Sequence, residues 1–122
     1  MNNASGKIGE DYAANHLKDK GYRIAARNYH SRYGEIDIIA ENKEFIVFAE
    51  VKTRDKNYEV SPLEAVSPGK QKKIGKTALL YLQSNPTDLQ PRFDVIGITT
   101  DTDCKILSIE HIENAFPVSG FY

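Results

Sequence analysis

The chain has no tryptophan, one methionine, one cysteine and only five prolines among 122 residues. A single cysteine, Cys104, excludes an internal disulfide and fits a reducing compartment. The three histidines, His16, His30 and His111, lack zinc-ligand spacing and have no cysteine cluster beside them, which excludes a structural zinc site. No apolar run approaches the roughly 18 residues that a membrane helix needs. The polar start, Met1-Asn2-Asn3, is not a signal peptide. A membrane is therefore excluded as a partner, and the cytoplasm is the expected location. What remains is ordinary for a soluble globular chain: 40% hydrophobic and 27% charged residues. This length accommodates one core, so residues 1–122 are read as a single domain.

Net charge is also nearly missing, at −1, but its distribution is uneven. Residues 52–76 hold seven basic against three acidic side chains, whereas residues 77–122 hold two against six. Phosphate contacts depend on local Lys and Arg rather than on the whole-chain sum. The basic island is therefore either a solvated face or a nucleic-acid contact.

Periodicity predicts a helix over residues 7–20, with Ala13, Ala14 and Leu17 as its apolar stripe and Gly21 as its C-terminal cap. Glu10 falls on the face that carries this stripe. On position alone it is a first-turn acid favoured by the helix dipole. A short strand is expected over 22–27, followed by a polar, aromatic loop over 28–33 that contains Arg32 and Tyr33. Aromatics mixed with cations can stack on bases, and they can equally decorate a plain surface loop.

Residues 35–40 and 45–52 alternate as two strands of a hairpin turning at Asn42-Lys43. The expected register pairs Ile36 with Ala49, Ile38 with Val47 and Ala40 with Phe45. Ile36, Ile38, Ala40, Phe45, Val47, Ala49 and Val51 then share one apolar face. The opposite face gathers Glu35, Asp37, Glu50 and Lys52 at one end, with Glu50 diagonal to Asp37. The unbroken apolar run from Phe45 to Ala49 predicts a central strand covered on both sides.

Residues 53–67 read as a basic loop, with Ser61-Pro62-Leu63-Glu64 resembling a capping box. Ser67-Pro68 starts a second helix whose stripe is Ile74, Thr77, Ala78, Tyr81 and Leu82 and which ends near Asn85. Lys70 and Gln71 fall on its inward face, Lys72, Lys73 and Lys76 on its outward one. Two further strands, 92–99 and 105–111, complete a mixed α/β chain in the order αβββαββ, a central mixed sheet flanked by helices.

An Asp on one strand, with Glu and Lys two apart on the next, is a compact cation site. Magnesium takes one or two carboxylates plus substrate phosphate and water. Asp37 and Glu50 supply that pair, with Glu10 within reach from the first helix. Lys52 would orient a water or face the charge of a cleaving phosphodiester, and Lys70 or Gln71 could complete the site. The plain alternative is an exposed ion pair at a strand end. Asp94 is read as the partner of Arg92 rather than as another site acid.

At these positions the sequence resembles a family. Gly9-Glu10, Asn28, Gly34-Glu35-Ile36-Asp37, Phe48-Ala49-Glu50-Val51-Lys52-Thr53-Arg54, Lys70-Gln71 and Arg92-Phe93-Asp94-Val95 are similar to the bacterial YraN-like family. That family is assigned to the PD-(D/E)XK, or restriction-endonuclease-like, nuclease superfamily, near archaeal Holliday-junction resolvases. The likeness covers residues 6–116. It implies a restriction-endonuclease-like core and Mg or Mn as cofactor. Asp37, Glu50 and Lys52 would hold the metal and catalytic positions, with Glu10 an additional metal-binding acid and Gln71 a helix residue of the site. Ile36 stands where the superfamily has a proline before its first acid. The resolvase likeness also implies a homodimer, although no apolar patch in the sequence marks an interface.

The function expected is metal-dependent DNA endonuclease activity, on branched or damaged DNA. Lys70, Lys72, Lys73, Lys76, Arg54 and Arg32 would serve as nucleic-acid contacts. The alternatives are a non-catalytic nucleic-acid-binding module and a protein-interaction adaptor on the same scaffold.

Overall fold

The apolar run Phe45–Ala49 becomes the middle of a five-stranded sheet in the order β1-β2-β3-β4-β5. The computed structural model describes residues 3–57 and 60–117. Its elements are α1 (Asn3–Asp19), β1 (Arg23–Ser31), β2 (Gly34–Glu41), β3 (Phe45–Asp55), α2 (Pro68–Ser84), β4 (Gln90–Thr100) and β5 (Ile106–Ile112). This is the αβββαββ order expected. All neighbouring strands run antiparallel except β3 and β4, which are parallel and joined through α2.

Each face of the sheet carries one helix. Ala13, Ala14 and Leu17 of α1 pack on Ile38, Ala40, Val47, Ala49, Ile96 and Ile98. Ile74, Ala78 and Tyr81 of α2 pack on Ile39, Ile46, Phe48, Phe93 and Val95 of the opposite face. Phe48 and Phe93 stack with their ring centroids 5.4 Å apart, and Tyr81 stands edge-on to both Phe48 and Tyr29. Ser67 caps α2 as its sequence predicts, its Oγ accepting the Lys70 N–H at 3.2 Å. Gly21 ends α1 with φ at +94°, a conformation that glycine adopts without strain.

Several local expectations are corrected: α1 starts at Asn3, which puts Glu10 beyond its first turn, and β3 runs on to Asp55 through residues read as loop. The hairpin register is Ile38 with Ala49, Ile39 with Phe48 and Ala40 with Val47, two residues away from the expected pairing. The cause is Asn42, whose Oδ1 accepts the N–H groups of Glu44 and Phe45 and moves the turn to Lys43-Glu44. A shift of two leaves each strand's alternation intact. Ile36 nevertheless leaves the α1 face and joins the cluster under α2. The regular β2–β3 pairing ends at Ile38 and Ala49, and beyond it the Val51 N–H bonds to the Asp37 carboxylate. Lastly, residues 28–31, read as loop, continue β1. As an edge strand with one open side, β1 tolerates polar residues.

Close approaches fix two joints. A Cβ on Gly9 would lie 1.8 Å from Thr53 Oγ1, so α1 meets β3 closely at Gly9. A Cβ on Gly97 would lie 2.2 Å from Pro62 Cγ, so the turn before α2 rests on β4. Within that turn the Ser61 hydroxyl accepts the Glu64 N–H, as the capping pattern predicts. Among the described residues, no helix is long and apolar enough to cross a membrane.

Candidate active site

Charged groups from four elements line one cleft of about 540 Å³. β2 delivers Asp37, which is 9% exposed, and β3 delivers Glu50, which is 5% exposed. Lys52 follows Glu50 by two residues on β3 and so shares its face. Glu10 enters from α1 one residue after the Gly9–Thr53 contact, and Lys70 enters from the first turn of α2. The far wall is Thr100, Asp101, Thr102 and Cys104, at the end of β4 and the turn after it.

The two strand acids are held differently. Asp37 Oδ2 accepts the Val51 N–H at 2.8 Å. Glu50 Oε2 is buried and accepts no hydrogen bond, while Lys70 Nζ stands 3.5 Å from it. Burial pushes the Glu50 carboxyl up to about 8, helped by the hydrogen bond and charge of Asp37 and opposed by Lys70 and Lys52. Two carboxylates crowded out of water cannot both ionise cheaply, and burial disfavours the charged form of Glu50.

Asn28 ties a second pair of acids together. Its Nδ2 donates to Glu10 Oε1 at 2.9 Å and to Glu35 Oε1 at 3.3 Å. The backbone there is left-handed, with φ at +50°, a conformation that asparagine tolerates better than most residues. Burial, then the nearby Asp37, raises the Glu10 carboxyl above its ordinary range, with Arg27 opposing. Glu35 also lies 3.3 Å from His30 Nδ1.

The structure therefore brings Glu10, Asp37, Glu50, Lys52 and Lys70 to one cleft. Gln71 is the exception among the expected site residues. Its Nε2 donates to the Val66 carbonyl at 3.0 Å, and it lines a separate cleft with Lys72, Lys76, Leu79 and Pro117. One residue is about 100° around a helix, and the carbonyl of the preceding turn captures Gln71 while Lys70 reaches Glu50. Glu35, which alternation had put on the same face as Asp37, also lines the cleft. Asn28 is a residue of the site to which the sequence assigned no role, its only signal being its place in the motifs.

The cations expected to contact nucleic acid are spread more widely. Lys76 Nζ lies 5.1 Å from the Tyr33 ring centroid. Arg32 covers the same ring at 4.9 Å and donates to its hydroxyl. Lys72 and Lys73 are exposed on α2. The Arg54 guanidinium donates to the Val60 carbonyl. Asp94 belongs elsewhere: it is fully buried on the α1 side, bound by Arg92 through Nε at 2.9 Å and Nη2 at 2.8 Å. His111 Nε2 at 2.7 Å and the Asn114 N–H at 3.0 Å complete its shell.

The donor set bears on what the cleft can hold. Among the described residues no three His, Cys, Asp or Glu side chains form a metal-binding group by themselves. Two carboxylates supplemented by substrate and water oxygens are what magnesium or manganese commonly takes. Asp37 and Glu50, whose Oε2 accepts no hydrogen bond, fit that requirement.

Comparison with known proteins follows the same positions. A family profile described as "Uncharacterised protein family UPF0102" matches residues 9–98, a span that contains all five of these cleft residues. A UPF0102 protein of Syntrophomonas wolfei is 47% identical over 117 residues, covering 95% of this chain and all of that protein. Others, from Syntrophus aciditrophicus and Alkaliphilus oremlandii, are 43% and 47% identical. They cover 98% and 95% of this chain, and 93% and 100% of their own lengths.

Proposed function

The chain belongs to the UPF0102 family, whose description assigns no activity, and we propose from its cleft that it is a divalent-metal-dependent DNA endonuclease on a restriction-endonuclease-like core. One observation carries this reading. Glu50 is a nearly inaccessible carboxylate with an oxygen that accepts no hydrogen bond, set beside a second carboxylate and facing an open cleft. Burying an oxygen without a hydrogen bond costs free energy that the Lys70 charge alone offsets only in part, and a divalent cation is the partner that two adjacent acids fit.

In this reading Asp37 and Glu50 hold Mg or Mn, with Glu10 contributing from α1. Once bound, the cation supplies Lewis acidity that withdraws charge from the phosphodiester and makes an attacking water easier to ionise. Lys52, on the Glu50 face, stabilises the negative charge that grows on the phosphoryl oxygens. Asn28 acts on the site indirectly, orienting the Glu10 carboxylate. Lys73, Lys76 and Arg32 take phosphates further along the strand, at a near-neutral net charge that keeps binding moderate and salt-sensitive.

The test is cleavage of linear, single-stranded, flap and four-way DNA with Mn²⁺ and with chelator. Asp37→Asn and Glu50→Gln should each abolish metal-dependent cleavage with the fold intact. Cleavage at the native rate in both variants would refute the reading. DNA binding without cleavage, weakened by changing Lys72, Lys73 and Lys76 together, would favour a non-catalytic binding module.

A further inference from the structure

Among the described residues, Lys70 is the cation that pairs with the buried Glu50. Its Nζ lies 3.5 Å from Glu50 Oε2, yet that oxygen accepts no hydrogen bond, so charge alone relates the two groups. The Lys70 side chain is 39% exposed and reaches the cleft from outside, so its flexible stem can swing the ammonium away without disturbing the core. Its backbone is anchored independently, because Ser67 Oγ accepts the Lys70 N–H. A mobile head on a fixed base is suited to exchange partners.

We propose that Lys70 is a resident cation that stands in for the divalent ion at Glu50 and is handed over to a phosphate of nucleic acid when the substrate arrives. This rests on the reading of the cleft as a metal site. An ammonium and a divalent ion against the same Glu50 oxygen repel at short range, so each weakens the other's hold. A phosphate that draws the ammonium away removes the competitor, so nucleic acid and divalent cation bind with positive coupling. By linkage each strengthens the other by the same factor. Substrate thereby favours loading of the metal, and a protein without substrate holds it weakly. Lys73 and Lys76 continue along the same helix, where further phosphates can be met.

The experiment is calorimetric titration of Ca²⁺ into the native protein and into Lys70→Met and Lys70→Gln. It is run at several pH values well above the Glu50 value of about 8, because loss of Lys70 raises that carboxyl further, and affinities are compared where they no longer change with pH. Each titration is repeated with a saturating short DNA duplex, and melting curves check the fold. Without DNA both variants should bind Ca²⁺ about ten-fold tighter than the native protein. DNA should tighten binding in the native protein and leave the variants nearly unchanged. Equal or weaker binding in both variants, or equal tightening by DNA in all three proteins, would overturn the proposal. If Asp37→Asn abolishes Ca²⁺ binding while the Lys70 variants bind as the native protein does, the metal site stands and only the handover falls. Absence of Ca²⁺ binding in every protein would remove both.

Discussion

Val51 donates its N–H to the Asp37 carboxylate at 2.8 Å, so a side chain continues the link between β2 and β3 where their regular pairing has ended. Asp37 thus has a structural duty as well as a charge, and the two can be separated. Asparagine offers the same acceptor without the charge, whereas alanine leaves the half-buried Val51 N–H without this partner. Asp37→Ala should cost about 1–3 kcal/mol in urea unfolding, and Asp37→Asn less than about 1 kcal/mol. Equal losses in the two variants would mean that the hydrogen bond contributes nothing.

The pH dependence of stability reports Glu50. Its carboxyl is raised from an ordinary value of 4.5 to about 8, so the folded state binds more protons than the unfolded one between those limits. Stability from this group is fully present at low pH and is lost as pH rises through about 8. The native protein should therefore lose a few kcal/mol from pH 5 to pH 9 on account of this group, and Glu50→Gln should remove that loss. Adding Mg²⁺ at the alkaline end should restore native stability and leave Glu50→Gln unchanged. Melting temperatures across the pH range, with and without Mg²⁺, check both statements.

The acid side should be governed by other groups. Burial works to raise Asp94, but hydrogen bonds from His111, Arg92 and the Asn114 N–H outweigh it and hold the carboxyl below its usual range. A lowered acid contributes stability that disappears as pH falls below its unfolded value of 3.8. Burial, then His111 and Lys20, lower His16, whose Nε2 sits 3.1 Å from His111 Nδ1, against the opposing pull of Asp19. Protonating His16 therefore costs stability as pH drops below 6.5. In the Glu50→Gln background, stability should rise with pH through the acid range, opposed by the raised Glu10 carboxyl above its ordinary value of 4.5, and then level off.

Asp94→Ala should be among the most damaging single changes. It would leave Arg92, which is 8% exposed, with Tyr22 and Glu113 as its remaining hydrogen-bond and ion-pair partners. Removing one member of a buried pair typically costs about 3–5 kcal/mol. Denaturant unfolding measures it, and a loss below 1 kcal/mol would show that the network is dispensable.

Gly9→Ala should cost about 1–3 kcal/mol through overpacking against Thr53 and should displace Glu10 from the cleft. Thr53→Ala removes the Oγ1 that an added Cβ would strike, so the double variant should recover part of the loss. A double-mutant cycle reads the coupling directly, and additive losses would dissociate the two residues.

Element order, core stripes, caps and the central position of β3 were legible from the sequence, because apolar spacing and the Ser67-Pro68 cap are local signals. The side-by-side acids Asp37 and Glu50 were legible too, since alternation survives a shift of two. What escaped depends on side chains bonding to backbone. Asn42 re-sited the hairpin turn, the Asp37–Val51 bond let Ile36 change faces, and the Val66 carbonyl drew Gln71 away from the cleft. Hydrophobic periodicity records none of these. The left-handed backbone at Asn28, and with it the bridge from Glu10 to Glu35, is likewise a tertiary outcome.

β3 and β4 are the one parallel pair in the sheet, and α2 is the return journey that a parallel pair requires. Both acids precede that journey in the chain, and Lys70 and the Thr100–Cys104 wall follow it. A ribosome that has released only the first three strands has released Asp37, Glu50 and Lys52 without Lys70 and without the far wall. The cleft is complete only when the second half of the molecule has folded against the first.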